Sequence, residues 1–164
     1  MGGGVLPVSF HKGEMLFLFG QEYEELKWSD FGGTSNPSES YLQTAVRDGS
    51  EELNGMLGTS TDIHHLIKTQ LLFELELDNH KTFLVQVPYE PYLPLYFNNQ
   101  YRFIKKQFPQ LVGINGVFEK KQIKWFSLAE IKKNRHLFRP FYRLFTDEII
   151  LNERVIRSNK IKIV

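Results

Sequence analysis

The chain has 164 residues, enough for one sizeable hydrophobic core and too few for two, so a single domain over residues 1–164 is expected. It contains no cysteine, which excludes disulfide frameworks, thiolate nucleophiles and zinc sites with cysteine ligands. The sequence shows no targeting pattern and no window near the roughly 18 consecutive apolar residues of a membrane span. We therefore expect no membrane partner and a cytoplasmic location.

The formal net charge of +1 hides an uneven distribution of charge along the chain. Residues 1–100 hold 5 Lys and Arg against 14 Asp and Glu, whereas residues 101–164 hold 15 against 5. An acidic segment beside a basic one is expected of a site that handles both metal cations and a polyanionic substrate. Ordinary surface charge is the alternative explanation.

The first half of the chain predicts a β opening followed by a helix. Apolar runs at 5–10 and 14–22 predict two strands around a turn at 11–13. The polar stretch at 23–37, rich in Gly, Pro and Ser, is predicted as a loop. Ser38 or Ser40 then caps a helix that runs to about Leu53. Its predicted buried stripe is Leu42, Ala45, Val46 and Leu53.

After Gly55 and Gly58 end that helix, the remaining sequence predicts a second hairpin and several helices. Residues 70–77 and 82–89 predict strands joined by a tight turn. The later predicted elements are a basic helix at about 98–108, a strand near 117–125, a helix capped by Ser127 and a last helix over 140–152. Together they predict an α/β (α+β) fold with a mixed central β-sheet between helices.

The main group of chemistry-bearing residues lies between Gly33 and Gly55. Glu39 follows Gly33 after five residues, and seven more lead to the run Arg47-Asp48-Gly49-Ser50-Glu51-Glu52. On a helix Asp48, Glu51 and Glu52 share one face, where their carboxylates repel one another unless a cation neutralises them. Oxygen ligands on one rigid helix suit Mg²⁺ or Mn²⁺. A solvated acidic face is the alternative.

This segment resembles the Nudix box: Gly, five residues, Glu, seven residues, then Arg-Glu-apolar-x-Glu-Glu-x-Gly-apolar. The matching residues are Gly33, Glu39, Arg47, Glu51 and Glu52, and the departures are Asp48 for Glu, Gly49 for an apolar residue and Asn54 for Gly. The resemblance implies the Nudix fold and metal-dependent hydrolysis of a phosphoanhydride bond in a nucleoside diphosphate linked to another group. Because Asp is one methylene shorter than Glu, Asp48 either binds metal through water or marks a weakened enzyme.

The same resemblance implies roles for individual residues. Asp48, Glu51 and Glu52, with the backbone carbonyl of Gly33, are the implied metal ligands. Arg47 is the residue that orients a neighbouring glutamate. We expect catalysis to depend on Arg47, Glu51 and Glu52.

The resemblance extends to the segment 123–128, which is similar to the family's late strand and following helix. In members that remove mRNA caps, a further glutamate lies six residues before the tryptophan of this strand, and here that position is Glu119. Glu119 is predicted as the catalytic base or an additional metal ligand. A box glutamate is the other candidate for the base, and a surface charge is the alternative explanation of Glu119. The approach segment 28–33 is similar to Nudix proteins of large cytoplasmic DNA viruses, for which the location is the host cytoplasm.

Substrate contacts are predicted from basic and aromatic residues. Lysines and arginines outside the box are expected to hold substrate phosphates or an RNA backbone, and aromatic rings to stack a base. The predicted substrate-binding residues are Lys12, Trp28, Arg102, Lys105, Lys106 and Lys121, and Lys120, Lys124, Tyr101 and Phe103 are further candidates. Trp125 and Phe126 are predicted to lie in the core.

Three functions remain open at this point. The leading hypothesis is removal of an mRNA cap with release of m⁷GDP. The second is hydrolysis of small nucleotides, dinucleoside polyphosphates or diphosphoinositol polyphosphates. The third is a catalytically weak module that binds nucleotides or RNA. A structural protein with a fortuitous acidic helix is the least favoured alternative, and the sequence makes no prediction of oligomeric state.

Overall fold

A computed structural model describes residues 1–162 of the chain. The predicted first hairpin is present as strand β1 (Gly2–His11) and strand β2 (Glu14–Glu22), joined at Lys12 and Gly13, which both have positive φ angles. The stretch predicted as a loop contains two short strands, β3 (Trp28–Ser29) and β4 (Phe31–Thr34). Strands this short have too little periodicity to be detected, and their pairing with distant strands creates them.

Helix α1 (Tyr41–Glu52) begins after Ser40, so of the two predicted caps the structure selects Ser40. Its hydroxyl accepts a hydrogen bond from the backbone N–H of Gln43, and the Gln43 side chain accepts one from the Ser40 N–H in return. Ala45 and Leu53 are buried as predicted, whereas Leu42 and Val46 are half-buried. The helix also buries two carboxylates that the predicted stripe did not include.

Helix α2 (Ser60–Gln70) was not predicted. Its start carries a capping box formed by Thr59 and Asp62, which is visible in the sequence as Thr-x-x-Asp. The helix buries Ile63 and Ile67, and this narrow stripe among polar residues gives a weak helical pattern.

Most of the remaining elements match the prediction in kind and differ in their bounds. The basic helix starts five residues earlier than predicted, the predicted last helix covers Tyr142–Leu151, and a further short helix at Glu153–Ser158 was not predicted. Ser127 caps its helix in a capping box with Glu130, as predicted. These elements are β5 (Leu71–Leu77), β6 (His80–Gln86), α3 (Leu93–Gln107), β7 (Lys120–Ser127), α4 (Leu128–Lys133), α5 (Tyr142–Leu151) and α6 (Glu153–Ser158).

The seven strands form one mixed sheet. Its main path runs β3-β2-β1-β6-β5, while β4 pairs with β1 and β7 pairs with β2. Strand β1 is central: β6 pairs parallel to it along one edge, and β4 and β2 pair antiparallel to it along the other. The first part of β1 therefore lies beside β4, with Gly3 opposite Gly33.

Helices cover both faces of this sheet, which confirms the predicted α/β architecture. On one face α1 and α2 pack against Val5, Phe83 and Val85, while Phe97 of α3 packs beside Leu18 and Trp125. On the other face α4, α5 and α6 bury the largest core cluster, around Phe17, Phe19 and Phe126. Trp125 and Phe126 lie in the core, as predicted. Within the described residues, no helix has the length and apolar character needed to cross a membrane.

Helix α1 approaches the sheet so closely that glycine is required at one position of β1. A Cβ atom on Gly3 would lie 2.2 Å from the carbonyl oxygen of Tyr41 and 3.2 Å from the backbone nitrogen of Ala45. Backbone atoms cannot move aside as a flexible side chain can. On the helix side, a Cβ atom on Gly49 would lie 3.1 Å from a methyl group of Val5.

We predict that Gly3→Ala destabilises the protein by at least about 2 kcal/mol, because α1 must move away from the sheet. Gly49→Ala is the matched control in the same interface. There the overpacking is small and alanine gains about 1 kcal/mol of helix propensity over glycine, so the net change should stay within about 1 kcal/mol. Urea unfolding of both variants measures the difference, and equal destabilisation would contradict the proposed close contact.

Candidate active site at the end of helix α1

The site forms where α1 passes over β4. Glycines at 32 and 33 let the strand backbone contact two carboxylates of the helix. A Cβ atom on Gly33 would lie 2.6 Å from Asp48 Oδ2, and the N–H of Gly32 donates a hydrogen bond of 2.8 Å to Glu52 Oε2. Asp48 and Glu52 are 8% and 4% exposed, so these carboxylates are held inside the protein.

The acidic residues predicted from the box surround one cavity, which we call the acidic cavity. It has a volume of about 420 Å³. Glu51 reaches it from α1 beside the loop at 113–116, where a Cβ atom on Gly116 would lie 2.5 Å from Glu51 Oε2. Its lining includes Gly33, Arg47, Asp48, Glu51, Glu52 and Glu119. The structure thus brings together every residue predicted to bind metal or act in catalysis.

Arg47 holds three carboxylates of this site. Its guanidinium donates hydrogen bonds of 2.9 Å from Nε and Nη2 to the two oxygens of Glu39. Nη1 forms a close ion pair with Asp48 and lies 3.7 Å from Glu51 Oε2. Glu39 therefore fixes the guanidinium of Arg47, and Arg47 in turn fixes the positions of Asp48 and Glu51.

Hydrogen bonds give Glu39 an unusually low pKa. The guanidinium of Arg47 is the main cause, and the backbone N–H of Asn36 adds to it, so the pKa of Glu39 falls from 4.5 to about 2. Glu39 is a matched box residue, and its observed role is to fix Arg47.

Burial has the opposite effect on the carboxylates of the cavity. Desolvation raises the pKa of Asp48 from 3.8 to about 6, with Arg47 opposing the shift and the charge of Glu51 adding to it. Burial likewise raises the pKa of Glu52 well above its ordinary value, against the nearby ammonium of Lys120. Burial thus disfavours the charged form of both carboxylates, a cost that either a proton or a nearby cation reduces.

A second cavity of about 400 Å³ adjoins the acidic cavity and shares Gly33, Glu52 and Glu119 with it. Its other acids, Glu22, Glu24 and Glu25, were not predicted as site residues. Arg139, from the segment before α5, also lines it and donates hydrogen bonds of 3.0 Å and 3.1 Å to Glu25. The three glutamates precede the box and Arg139 lies far beyond it, so the box pattern did not mark them.

A third cavity, of about 380 Å³, meets the second at Gly32, Gly33 and Arg139. It is lined by His80 and by Phe141 and Phe145. The Phe141 ring is 44% exposed, and the guanidinium of Arg139 lies 5.2 Å from its centroid. An aromatic surface therefore adjoins the acidic region.

Most predicted substrate-binding residues lie outside these cavities. Lys12 is in the turn at the opposite end of β1 from Gly33, and Lys121 is half-buried in β7. Arg102, Lys105 and Lys106 are exposed on α3. None of them is among the described residues that line the three cavities.

Three of the sequence expectations do not fit the burial of the residues. Trp28 is 6% exposed and packs edge-on against Phe126, and Tyr101 is 3% exposed, so neither ring has a free face for a base. Lys120 is fully buried in an ion pair and cannot hold substrate phosphate. In each case the fold buries a residue that the sequence analysis had expected at the surface.

The predicted metal ligands have the right chemistry for a hard cation, but their oxygen atoms do not converge on one point. All are carboxylate or carbonyl oxygens, the ligands that Mg²⁺ and Mn²⁺ prefer. In the described part of the chain, no three carboxylate or histidine side chains converge closely enough to hold a metal ion. Arg47 and Lys120 hold Asp48 and Glu52 instead.

No family model matches the sequence, and no curated protein is similar to it in sequence. Solved structures resemble it in fold. An Ap4A hydrolase from C. elegans aligns over 96% of this chain and 94% of that chain, with 19% identity and a TM-score of 0.50. A protein described as a NUDIX hydrolase from Listeria monocytogenes aligns over 99% of both chains, with 13% identity and a TM-score of 0.53.

A third similar structure is a bifunctional NMN adenylyltransferase/ADP-ribose pyrophosphatase from Francisella tularensis, complexed with AMP and a Mn ion. It aligns with 93% of this chain at 20% identity and a TM-score of 0.52, and the match spans 42% of that longer protein. Together these likenesses show that the chain has the Nudix fold. The relation to viral proteins stays a prediction from the sequence.

We predict that the Glu39–Arg47 pair stabilises the protein in a pH-dependent way. Because folding lowers the pKa of Glu39, its contribution is full above about pH 4.5 and is lost as the pH falls towards 2. Glu39→Gln should therefore lower the free energy of unfolding at pH 7, and its difference from the unsubstituted protein should shrink below pH 4.5. Urea unfolding between pH 7 and pH 2.5 measures this difference.

Glu14→Gln is the control, since Glu14 is exposed in the first hairpin. This substitution should leave the stability unchanged across the same pH range. A Glu39→Gln effect that is independent of pH would contradict the role of the charged pair.

Proposed function

We propose that this protein is a metal-dependent hydrolase that cleaves a phosphoanhydride bond in a substrate containing a nucleoside diphosphate linked to another group. The observation that carries the proposal is the charge around the two adjoining acidic cavities. Among the described residues, seven carboxylates and two arginines line them, and Asp48, Glu51 and Glu52 are among the seven. A polyphosphate can approach such a surface only with divalent cations between the two sets of negative charge.

The proposed metal ligands are the carboxylates of Asp48, Glu51 and Glu52 together with the carbonyl of Gly33. Divalent cations bound there would neutralise the phosphate oxygens and favour ionisation of the attacking water. Asp48 is buried beside Gly33 and is shorter than the usual glutamate, which suits a contact through water. Arg47 keeps the acids in place.

Glu119 is the proposed general base, because it lines both acidic cavities and stands opposite α1. In the reaction, the oxygen of water forms a bond to phosphorus while Glu119 accepts its proton. The bond from that phosphorus to the bridging oxygen breaks, and the leaving phosphate takes the electron pair. Two phosphorylated products result.

Small nucleotides are the favoured substrates. Two of the similar structures are named for Ap4A and ADP-ribose, substrates with a diphosphate or longer bridge between two groups. The third cavity is suited to a base or ribose, since the exposed Phe141 ring offers a stacking surface and Arg139 lies between that ring and the acidic cavities. One end of the substrate would lie there.

Capped RNA is the second candidate, and the exposed face of α3 favours it. Arg102, Lys105 and Lys106 are exposed on this helix, and the rings of Phe103 and Phe108 are 57% and 45% exposed. Basic groups interleaved with free aromatic rings are typical of surfaces that bind single-stranded nucleic acid.

The catalytic prediction is tested with a panel of a dinucleoside polyphosphate, ADP-ribose, a diphosphoinositol polyphosphate and cap-labelled RNA, each with Mg²⁺ or Mn²⁺. We expect cleavage of at least one. Glu119→Gln should lower kcat by about 100-fold or more through loss of the base, and Glu51→Gln should raise the metal concentration needed for activity. Product analysis by chromatography identifies the broken bond.

Glu76→Gln serves as the control, because Glu76 is an exposed carboxylate on β5 outside the three cavities. Full activity of both site variants would contradict the assignment. Lack of cleavage by the unsubstituted protein would favour the nucleotide-binding module. That alternative predicts a large gain in turnover from Asp48→Glu, which the hydrolase proposal does not.

The RNA candidate has its own test. Binding of single-stranded RNA should weaken as salt rises, with a log–log slope of about −0.7 for each phosphate contact. Replacing Arg102, Lys105 and Lys106 together by Gln should reduce that slope while leaving hydrolysis of a small nucleotide unchanged. A flat salt response in the unsubstituted protein would exclude α3 as an RNA surface.

A further inference from the structure

Lys120 is a charged side chain buried under the candidate site. It projects from β7 and is 0% exposed. Its ammonium forms a close ion pair with Glu22, lies 3.1 Å from Ser29 Oγ and lies 3.5 Å from Glu52 Oε2. Burying an ammonium ion is costly unless its partners compensate it, and here it donates hydrogen bonds to Glu22 and Ser29 and pairs electrostatically with Glu52.

The strand opposite makes room for this lysine. A Cβ atom on Gly20 of β2 would lie 2.8 Å from Lys120 Cδ and 2.9 Å from its Cγ. A glycine inside a strand is otherwise unfavourable, so its presence here fits a need for the lysine stem. Two carboxylates, those of Glu22 and Glu52, face the ammonium, and such opposite charges favour the charged form of the lysine.

Glu52 contacts the buried ammonium of Lys120 and also lines the cavities. Its Oε2 atom accepts the hydrogen bond from Gly32 and faces Lys120. The same side chain lines both acidic cavities. The ammonium thus fixes one oxygen of a proposed metal ligand from the inner side of the cluster.

We propose that Lys120 is a positioning residue and internal counter-ion, which keeps Glu22 and Glu52 folded inside the protein without a metal and sets the orientation in which Glu52 meets one. The inference rests on the proposed metal site. Without the ammonium, the buried Glu52 and the partly buried Glu22 lose their common partner, and only Arg139, 3.5 Å from Glu22 Oε1, still faces one of them. A divalent cation in the adjoining cavities would then supply the missing positive charge. Such a variant is stabilised by the metal more strongly than the unsubstituted protein is.

The test uses Lys120→Met, which keeps the length of the side chain and removes its charge. The readouts are the unfolding temperature with and without Mn²⁺ and the Mn²⁺ dissociation constant from titration calorimetry. The variant should unfold at a lower temperature without Mn²⁺, show a larger rise in unfolding temperature on adding Mn²⁺, and bind Mn²⁺ about tenfold more tightly, because a repelling positive charge has been removed.

The matched control is Ile123→Ala, a buried position on the same strand that carries no charge. It should lower the unfolding temperature while keeping the Mn²⁺-induced rise of the unsubstituted protein. Equal rises in all three proteins, with hydrolysis intact, would overturn the inference and leave the proposed function standing. Loss of the Mn²⁺ response in all three, together with failure of the hydrolysis assay, would overturn the proposed function.

A measurement without metal tests separately whether Lys120 is the counter-ion of Glu22 and Glu52. It applies even when Mn²⁺ has no effect. The double variant Lys120→Met/Glu22→Gln removes the ammonium together with one of the two carboxylates that it pairs with. It should be more stable than Lys120→Met alone, although Glu22→Gln destabilises the unsubstituted protein. Additive losses of stability would overturn the counter-ion role.

Discussion

Helix α1 rests almost on the backbone of the sheet, and the candidate site depends on this contact. The contact exists because glycines occupy the facing positions: Gly3 lies under the first turn of the helix, Gly33 under Asp48 and Gly49 over Val5. A Cβ atom on Gly3 would meet the backbone of α1 and force the helix away from the sheet. Carboxylates from the middle and end of α1 would then be exposed to solvent, without the low dielectric that raises the pKa of Asp48 to about 6.

The protein tolerates the burial of Asp48 and Glu52 because a cationic side chain lies on either side of the pair. Arg47, anchored by Glu39, contacts the outer side of the cluster, and Lys120 contacts Glu52 from the inner side. Both cations come from rigid elements, so the acids are restrained before any ligand arrives. The negative charge that remains faces the cavities shared with Glu119, where it is available to divalent cations. The same arrangement serves stability and the proposed chemistry.

Local signals in the sequence were enough to predict the part of the site that one helix carries. The cap at Ser40 and the spacing of Asp48, Glu51 and Glu52 are properties of consecutive residues, and the cap at Ser127 is equally local. The prediction for Glu119 came instead from the resemblance to Nudix proteins, through its distance to Trp125 in a paired strand. The helix caps and the acidic spacing needed only local geometry.

Other parts of the structure depend on contacts between distant residues, and these could not be predicted. The pairing of β4 with β1 creates a strand within a Gly-rich stretch, and Lys120 meets Glu22 across 98 residues. Arg139 reaches Glu25 across 114 residues. Trp28 and Tyr101 were wrongly predicted as substrate contacts. Aromatic rings of this kind can stack a base, but both side chains are buried in the protein. Helix α2 was missed despite its capping box, because only Ile63 and Ile67 mark its buried side.

The central claim is that the cavity beside Gly33 holds divalent cations. Its most direct test is a crystal structure of the protein soaked in Mn²⁺, with data collected at the manganese absorption edge. Our account predicts anomalous density in the acidic cavity, within ligand distance, about 2.2 Å, of the carboxylates of Glu51 or Glu52. Anomalous density only elsewhere on the molecule, with the cavity empty at saturating Mn²⁺, would contradict it.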